Sequence, residues 1–396
     1  MNEKLIKLCR SRDLVAIFRG LAQDEVFNKL MILIGSDSRH LSCYLGDYSD
    51  FVSELYNQNI IDLSQYLLKI TLEDDNIFIQ EAAKGNVPPR EMQECLLNEL
   101  KFLQEVSQLT PDDFISVAHH DGNFPRWINS KVDFIESYLQ RIREIDNYGY
   151  GKWAKSHMFI YRNEEITPLK YPDPQRLSEF ISYENQRQQV VDNTLALING
   201  KYAQNVLLYG DAGTGKSSTV KAIVNEYAAN GLRLIEITKD QISHIPDIVE
   251  EICCNPLKFI ILIDDLTFSA DEDSSGALKA TLEGSAARSN NMLIYATTNR
   301  SNLVKESLSD RDSDDIHVND SAQGALSLPS RFGLRVNFSA PDKKGYLEIA
   351  AAIAKSKGVK MEDNFNLKAL QFALTSGSGR SPRTAKQFVN QLMNSN

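Results

Sequence analysis

The chain has 396 residues, of which 42% are hydrophobic and 24% are charged, and it carries a formal net charge of −10. This composition is ordinary for a globular protein of two or three domains, and the acidic excess argues against general affinity for nucleic acid. No apolar run approaches the ~20 residues that span a bilayer, and the start of the chain lacks a secretory signal. We therefore expect a cytoplasmic protein that does not enter membranes, with its five cysteines reduced.

Residues 1–165 show a helical pattern without a catalytic motif. Apolar residues recur three and four positions apart over residues 24–33, 48–57 and 90–106. The sequence predicts a separate α-helical N-terminal domain here, and its function stays unknown at this point.

The pattern changes after TPLKYPDPQ (167–175), whose prolines favour an extended connector. Short apolar segments then alternate with helical ones, which is typical of a parallel sheet covered by helices on both faces. The predicted strands are residues 205–209, 232–237, 259–263, 292–297 and 334–338. We predict an α/β nucleotide-binding core with a parallel five-stranded sheet over residues 166–341, followed by a helical C-terminal lid over residues 342–396.

The segment GDAGTGKSS matches the phosphate-binding motif G-x-x-x-x-G-K-[ST], and it lies between a predicted strand and a predicted helix. Glycines let backbone N–H groups turn towards phosphates, and the helix N-terminus favours negative charge. The lysine is expected to reach the β- and γ-phosphates of ATP, and the serine after it to bind Mg²⁺. The candidate nucleotide-binding residues are Gly210, Asp211, Ala212, Gly213, Thr214, Gly215, Lys216, Ser217 and Ser218.

A second buried strand, FIILI, ends in Asp264 and Asp265. Two adjacent carboxylates need a cation or hydrogen-bond donors nearby. Downstream of a phosphate loop this pattern predicts a Mg²⁺ site, with the metal held by Ser217 and, through water, by Asp264. Asp265 is a candidate general base for water, although it could instead cap the following turn.

Three further residues follow from their positions in the chain. Asn299 ends the strand MLIYAT and is expected beside the γ-phosphate. Arg331 precedes the fifth strand, where it suits an arginine finger for a neighbouring subunit or an ordinary surface ion pair. Arg383 lies in the first turn of a predicted helix, where a positive charge is unfavourable unless a phosphate is near, with Arg380 as the alternative.

These elements, in this order, resemble the AAA+ ATPases. The segments FISYENQ, NVLLYGDAGTGKSS, DDLTF, LKATLEG, YATTNR and LPSRFGL are similar to the motifs of a little-characterised bacterial AAA+ family over about residues 160–396. The differences are small, and one of them places Ser182 where the family has glycine. The resemblance implies ATP binding, with Ile181 and Tyr183 flanking the adenine, but it names no substrate.

The sequence leaves several functions open. The first is an ATP-hydrolysing protein that forms homo-oligomers and remodels a protein partner through its N-terminal domain. The second is a nucleic-acid-handling ATPase similar to helicase loaders, which the acidic N-terminal region disfavours. The third is a slow nucleotide-controlled switch. The acidic segment 307–324 is interpreted as a solvated loop, with a partner-binding or regulatory role as the alternative.

Overall fold

The computed structural model describes residues 3–37, 39–118, 122–267, 274–283, 290–299, 328–377 and 379–394. The chain divides into two compact units, Met1–Lys155 and Ser156–Asn396. None of the helices in the described ranges is both long enough and apolar enough to cross a membrane. The acidic segment 307–324 lies outside the described residues.

The described part of the first unit consists of helices and their connections. The three helical patterns noted in the sequence correspond to the second, third and sixth α-helices. The α-helices are α1 (Glu3–Arg12), α2 (Glu25–Gly35), α3 (Leu41–Asn57), α4 (Leu63–Leu72), α5 (Ile77–Ala83), α6 (Arg90–Ser107), α7 (Pro111–Ala118), α8 (Phe134–Arg143), α9 (Ile145–Tyr148) and α10 (Lys152–Lys155), and a 3-10 helix spans Ile17–Gln23.

A buried carboxylate fixes the start of that 3-10 helix. Glu99, on α6, is 5% exposed and accepts hydrogen bonds from the backbone N–H groups of Ala16, Ile17 and Phe18 at 2.7 to 3.1 Å. These N–H groups begin a helix and would otherwise lack partners. The charge of Glu99 is thus accounted for by the fold of this unit.

The second unit contains a seven-stranded sheet. Its strand order is β2-β1-β4-β5-β6-β3-β7, and every neighbouring pair is parallel except β1 with β2. Because parallel strands carry their carboxyl ends on one edge of the sheet, the segments after β3, β5 and β6 meet there. The strands are β1 (Met158–Arg162), β2 (Glu165–Pro168), β3 (Val206–Gly210), β4 (Leu232–Ile237), β5 (Lys258–Ile263), β6 (Met292–Thr298) and β7 (Leu334–Phe338).

The prediction of a five-stranded parallel sheet was therefore wrong in number and partly in direction. The five predicted strands are β3 to β7, and the sequence analysis missed the β1–β2 hairpin. Its two-residue turn has left-handed backbone at Asn163 (φ 51°) and Glu164 (φ 62°). Such turns are usually recognised by glycine in the second position, which is absent here. The predicted connector 167–175 also overlaps β2 at its start.

Helices flank the sheet and follow it in the chain. The helices of the second unit are α11 (Glu184–Ile198), α12 (Lys216–Tyr227), α13 (Ile245–Ile252), α14 (Ser274–Glu283), α15 (Lys343–Ser356), α16 (Phe365–Thr375) and α17 (Pro382–Asn394). The last three helices share a hydrophobic core around Tyr346, Phe365 and Phe388. Ile181 packs against this core from the segment before α11.

Candidate functional site

The phosphate loop connects β3, which ends at Gly210, to α12, which begins at Lys216. Three of its glycines have positive φ angles, which are 127° at Gly210, 75° at Gly213 and 92° at Gly215. Left-handed backbone of this kind strongly favours glycine. The loop therefore has the backbone geometry that a phosphate-binding turn requires.

Two of these glycines also leave no room for a side chain. A Cβ atom at Gly210 would lie 2.4 Å from the carbonyl oxygen of Phe338, at the end of β7. A Cβ atom at Gly213 would lie 2.9 Å from Oγ of Ser381, just before α17. The phosphate loop is therefore packed directly against the sheet on one side and against the lid helices on the other.

Lys216 is 6% exposed, and its ammonium group makes three hydrogen bonds. Its Nζ donates hydrogen bonds to the carbonyl oxygens of Gly210 (2.9 Å) and Asp211 (2.8 Å) and to Oδ1 of Asn299 (2.9 Å). Burial lowers the pKa of the Lys216 ammonium, while the nearby aspartates oppose this shift. A buried cation of this kind attracts an anion to the loop.

Asp264 follows β5 and lies against the phosphate loop. Its Oδ1 accepts hydrogen bonds from the hydroxyl groups of Ser217 and Thr297, the latter at 2.5 Å. Carboxylate and hydroxyl oxygens are ligands that Mg²⁺ accepts, because this ion is hard and prefers oxygen. Ser217 and Asp264 therefore fit the predicted metal site in donor type and proximity.

Asp265 has left-handed backbone, with φ of 52°. Its N–H donates to Oγ1 of Thr297 at 3.0 Å, and its carboxylate accepts from Nδ2 of Asn299 at 2.8 Å. Asn299 thus joins Lys216 to Asp265 through its two amide atoms. The predicted roles of Asp265 and Asn299 remain predictions, but the structure does bring both residues to the phosphate loop.

A cavity of about 860 Å³ adjoins the loop. It lies between the segment before α11, the start of α12 and the lid helices. Two consecutive residues in that segment, Ser182 (φ 73°) and Tyr183 (φ 62°), have left-handed backbone, which residues other than glycine rarely adopt. The sequence-predicted residues that line the cavity are Ile181, Tyr183, Gly213, Thr214, Gly215, Ser218 and Arg383.

Arg383 reaches this cavity from α17. The helix begins at Pro382, and Oγ of Ser381 accepts a hydrogen bond from the N–H of Thr384 at 3.2 Å, as a capping residue does. The N–H of Arg383 donates to the carbonyl oxygen of Gly213 at 3.2 Å. Arg380, the alternative, is not among the described residues that line the cavity.

Arg331 lies elsewhere. It ends the 3-10 helix Leu328–Arg331 and precedes β7, whose first residue, Leu334, pairs with Val206 at the start of β3. The phosphate loop begins four residues later in β3, at Gly210. At about 3.3 Å per residue, the two ends of this strand are some 13 Å apart. The structure therefore does not bring Arg331 to the phosphate loop of its own chain.

Several contacts of the site were not predicted from the sequence. Thr297 donates to Asp264 and accepts from the backbone of Asp265. The carboxylate of Asp211 accepts a hydrogen bond from the N–H of Ala340 at 2.6 Å, which attaches the loop to the segment after β7. The hydroxyl of Tyr183 donates to the carbonyl oxygen of Ser339 at 2.6 Å. Of these contacts, only those of Thr297 had a signal in the sequence, which is the change from apolar to polar residues within YATTNR.

A family model described as "Protein of unknown function (DUF815)" matches residues 154–396. The chain belongs to the DUF815 family. The match covers nearly the same residues as the predicted resemblance to AAA+ ATPases, and that prediction is confirmed at the level of family and fold. The site of this DUF815 protein lies entirely in the matched part of the chain.

The chain is also similar to the "Putative cell division cycle ATPase" of Plasmodium falciparum (isolate 3D7), with 28% identity over 295 residues. The aligned region covers 69% of this DUF815 chain but 20% of the Plasmodium protein. The chain thus spans about a fifth of the length of that relative.

The solved structures to which the chain is similar include the RuvB Holliday junction branch migration motor of Thermotoga maritima, with 18% identity, a TM-score of 0.38, and coverage of 56% of this chain and 65% of RuvB. AMPPCP-bound DnaA from Aquifex aeolicus has 17% identity and a TM-score of 0.40, with coverage of 57% and 67%. The FIGL-1 AAA domain in complex with ADP has 14% identity and a TM-score of 0.38, with coverage of 55% and 73%.

Proposed function

We propose that this protein binds ATP with Mg²⁺ and hydrolyses it at the phosphate loop. One observation carries the proposal, which is that five polar side chains from three strand ends form a single hydrogen-bonded cluster beside a nucleotide-sized cavity. The cluster consists of Lys216, Ser217, Asp264, Asp265 and Asn299, and Thr297 joins its two halves by donating to Asp264 and accepting from the backbone N–H of Asp265.

Each residue has a definite task in this proposal. The N–H groups of the loop and of the first turn of α12 bind the phosphate oxygens, and Lys216 offsets their charge. Ser217 and Asp264 hold Mg²⁺, which supplies further neutralisation of charge on the phosphates when it is bound. Asp265 accepts a proton from the attacking water, and Asn299 orients the Asp265 carboxylate through its amide.

The base and sugar are assigned to the cavity. Ile181 contributes an apolar side chain beside the lid core, and the Tyr183 ring is held by its hydroxyl bond and by the Phe338 ring, whose centroid lies 5.4 Å away. Arg383 approaches from the lid, where it can contact a phosphate. Because α17 begins in contact with Gly213, a movement of the lid helices would alter the phosphate loop.

Assembly into a homo-oligomer is part of the proposal. The position of Arg331 at the opposite edge of the sheet supports action on the nucleotide of a neighbouring subunit rather than on its own. We further propose that the predicted helical N-terminal domain binds a protein partner in the cytoplasm. The acidic charge of the chain favours a protein partner over nucleic acid.

A slow switch is the second candidate. Asp265 has a shorter side chain than glutamate, and its carboxylate is already engaged by Asn299. Both features would slow the activation of water without affecting nucleotide binding. The rate of phosphate release at saturating ATP separates a continuous ATPase from a switch.

The test of nucleotide binding is the Lys216→Ala variant. Loss of the buried cation should weaken ATP binding by roughly 30- to 1,000-fold, measured by titration with a fluorescent ATP analogue. Lys201→Ala is the matched control, because it removes an exposed lysine before β3, at the opposite edge of the sheet. Equal ATP affinity of Lys216→Ala and the control would reject the phosphate-loop assignment.

A further inference from the structure

Arg187 is a buried arginine on the wall of the cavity. It lies in the first turns of α11 and is 8% exposed. Its guanidinium carbon lies 5.2 Å from the centroid of the Phe180 ring, and its ion pair with Glu184 is long, at 3.6 Å, to a side chain that is 76% exposed. Burial lowers the pKa of Arg187, because the charged form loses hydration.

The hydrogen-bonding capacity of this guanidinium is largely unused. It has five N–H donors, yet it donates no hydrogen bond to any of the residues that the structure describes. Arg233 provides a contrast, since it is 4% exposed and its guanidinium donates to the carbonyl oxygens of Ala228 and Leu232, both at 2.9 Å. The hydrogen bonds of Arg233 explain its burial, whereas Arg187 is a largely buried guanidinium that lines an open cavity.

The lining of the cavity indicates which part of a nucleotide would meet Arg187. It includes Gly215 and Ser218, but among the described residues it does not include Lys216 or Asn299. The Phe180 ring, on which Arg187 stacks, lies 3.5 Å from the position of a Cβ atom at Gly215. The cavity therefore adjoins the start of α12 and not the side of the loop where the terminal phosphate is assigned.

We propose that Arg187 binds the α-phosphate of the nucleotide, which is the anionic group that ATP, ADP and AMP share. This inference rests on the proposed nucleotide site and adds a ligand contact to it. A guanidinium matches a phosphate because its N–H groups form a planar fork that can donate two parallel hydrogen bonds. The phosphate would supply the acceptors that the protein does not provide.

The test is Arg187→Met, which keeps much of the apolar contact with Phe180 and removes the charge. Arg335→Met is the matched control, since the Arg335 guanidinium also stacks on a ring, that of Tyr209 at 5.4 Å, but is exposed and lies away from the cavity lining. Loss of a charged hydrogen bond should weaken binding of ATP, ADP and AMP alike by about 10- to 100-fold. Binding of adenosine, which lacks the phosphate, should not change.

Two further measurements and one further variant separate ligand binding from a structural role. The loss in Arg187→Met should appear in KM for ATP rather than in kcat, because the contact exists equally in the ground and transition states. The unfolding temperature without nucleotide should not fall, since a poorly satisfied buried charge is removed. Arg187→Lys, which keeps the charge without the fork, should show an intermediate loss of affinity for ATP.

The inference is overturned if Arg187→Met binds AMP as well as the control does, or if adenosine loses as much affinity as AMP. It is also overturned if ligand-free Arg187→Met is destabilised while its nucleotide affinity is retained. Its failure is distinguishable from failure of the proposed function. If wild-type protein binds ATP and Lys216→Ala does not, the site stands even when Arg187 proves irrelevant to it.

Discussion

Substitution of Gly210 by alanine tests whether the phosphate loop is fixed by the end of β7. A Cβ atom at this position would lie 2.4 Å from the carbonyl oxygen and 2.6 Å from the carbonyl carbon of Phe338. That oxygen also accepts the N–H of Asp211 at 3.1 Å. Real Cβ contacts do not fall below about 3 Å, so the strand ends must separate by at least half an ångström.

The cost has two parts. A non-glycine residue with positive φ costs about 1–2 kcal/mol, and overpacking against a fixed neighbour costs about 1–3 kcal/mol more. Gly210→Ala should therefore destabilise the second unit by about 2–5 kcal/mol. Gly200→Ala is the control, because Gly200 has a φ of 64° and nothing lies within 4 Å of its Cβ position. Gly200→Ala should lose only the stability that the positive φ costs, about 1–2 kcal/mol.

Urea denaturation followed by circular dichroism measures the free energy of unfolding. Titration with an ATP analogue measures the nucleotide affinity, which reports whether the phosphate loop keeps its conformation. Gly210→Ala should lose more stability than Gly200→Ala and should also bind ATP weakly, while Gly200→Ala should bind it normally. If both variants lost the same stability and bound ATP equally well, the close contact between Gly210 and Phe338 would not be what shapes the loop.

The remaining predictions concern the acidic pair and assembly. Asp264→Asn should weaken the Mg²⁺-dependent part of ATP binding, whereas Asp265→Asn should bind ATP normally and release phosphate roughly 100-fold more slowly; a normal rate in Asp265→Asn would mean that the base lies elsewhere. Arg331→Ala should bind ATP but hydrolyse it up to about 1,000-fold more slowly. If subunits exchange, mixing Arg331→Ala with Lys216→Ala should restore part of the activity, and wild-type specific activity should rise with protein concentration. A monomer in sedimentation whose Arg331→Ala variant is fully active would refute action between subunits.

The phosphate loop was predictable because its signal is local. Its glycines, lysine and serine are adjacent in the chain, and their spacing follows from the turn that they form. Asp264 and Asn299 could be placed because each ends a buried strand, and the carboxyl ends of parallel strands share one edge. In each case a local pattern and one general rule of sheets were sufficient.

Other parts could not be predicted, for physical reasons. Thr297 contacts Asp264 across two neighbouring strands, and the sequence shows both residues without showing that their side chains meet. The burial of Arg187 depends on the packing of Phe180 against the start of α12, which a helical pattern does not reveal. The hairpin of β1 and β2 lacked the turn residues by which such hairpins are recognised.

Asn299 bridges Lys216 and Asp265, the two residues to which we assign phosphate binding and the activation of water. The orientation of its amide is fixed by its partners, because Lys216 can only donate a hydrogen bond and an ionised Asp265 can only accept one. The oxygen must therefore face Lys216 and the NH₂ group must face Asp265. Aspartate at this position would place a second carboxylate against Asp265, and alanine would form a hydrogen bond with neither Lys216 nor Asp265.

The same arrangement supplies acceptors for the charge of Lys216. Two carbonyl oxygens and the amide of Asn299 satisfy the three N–H groups of Lys216, so the buried ammonium is not left without acceptors. A phosphate must replace some of these acceptors, and the net affinity is the difference between the two sets of hydrogen bonds. If Lys216 turns to the phosphate, the oxygen of Asn299 is released while its NH₂ group still holds Asp265. In our proposal, binding of the nucleotide is thereby transmitted to the carboxylate that activates water.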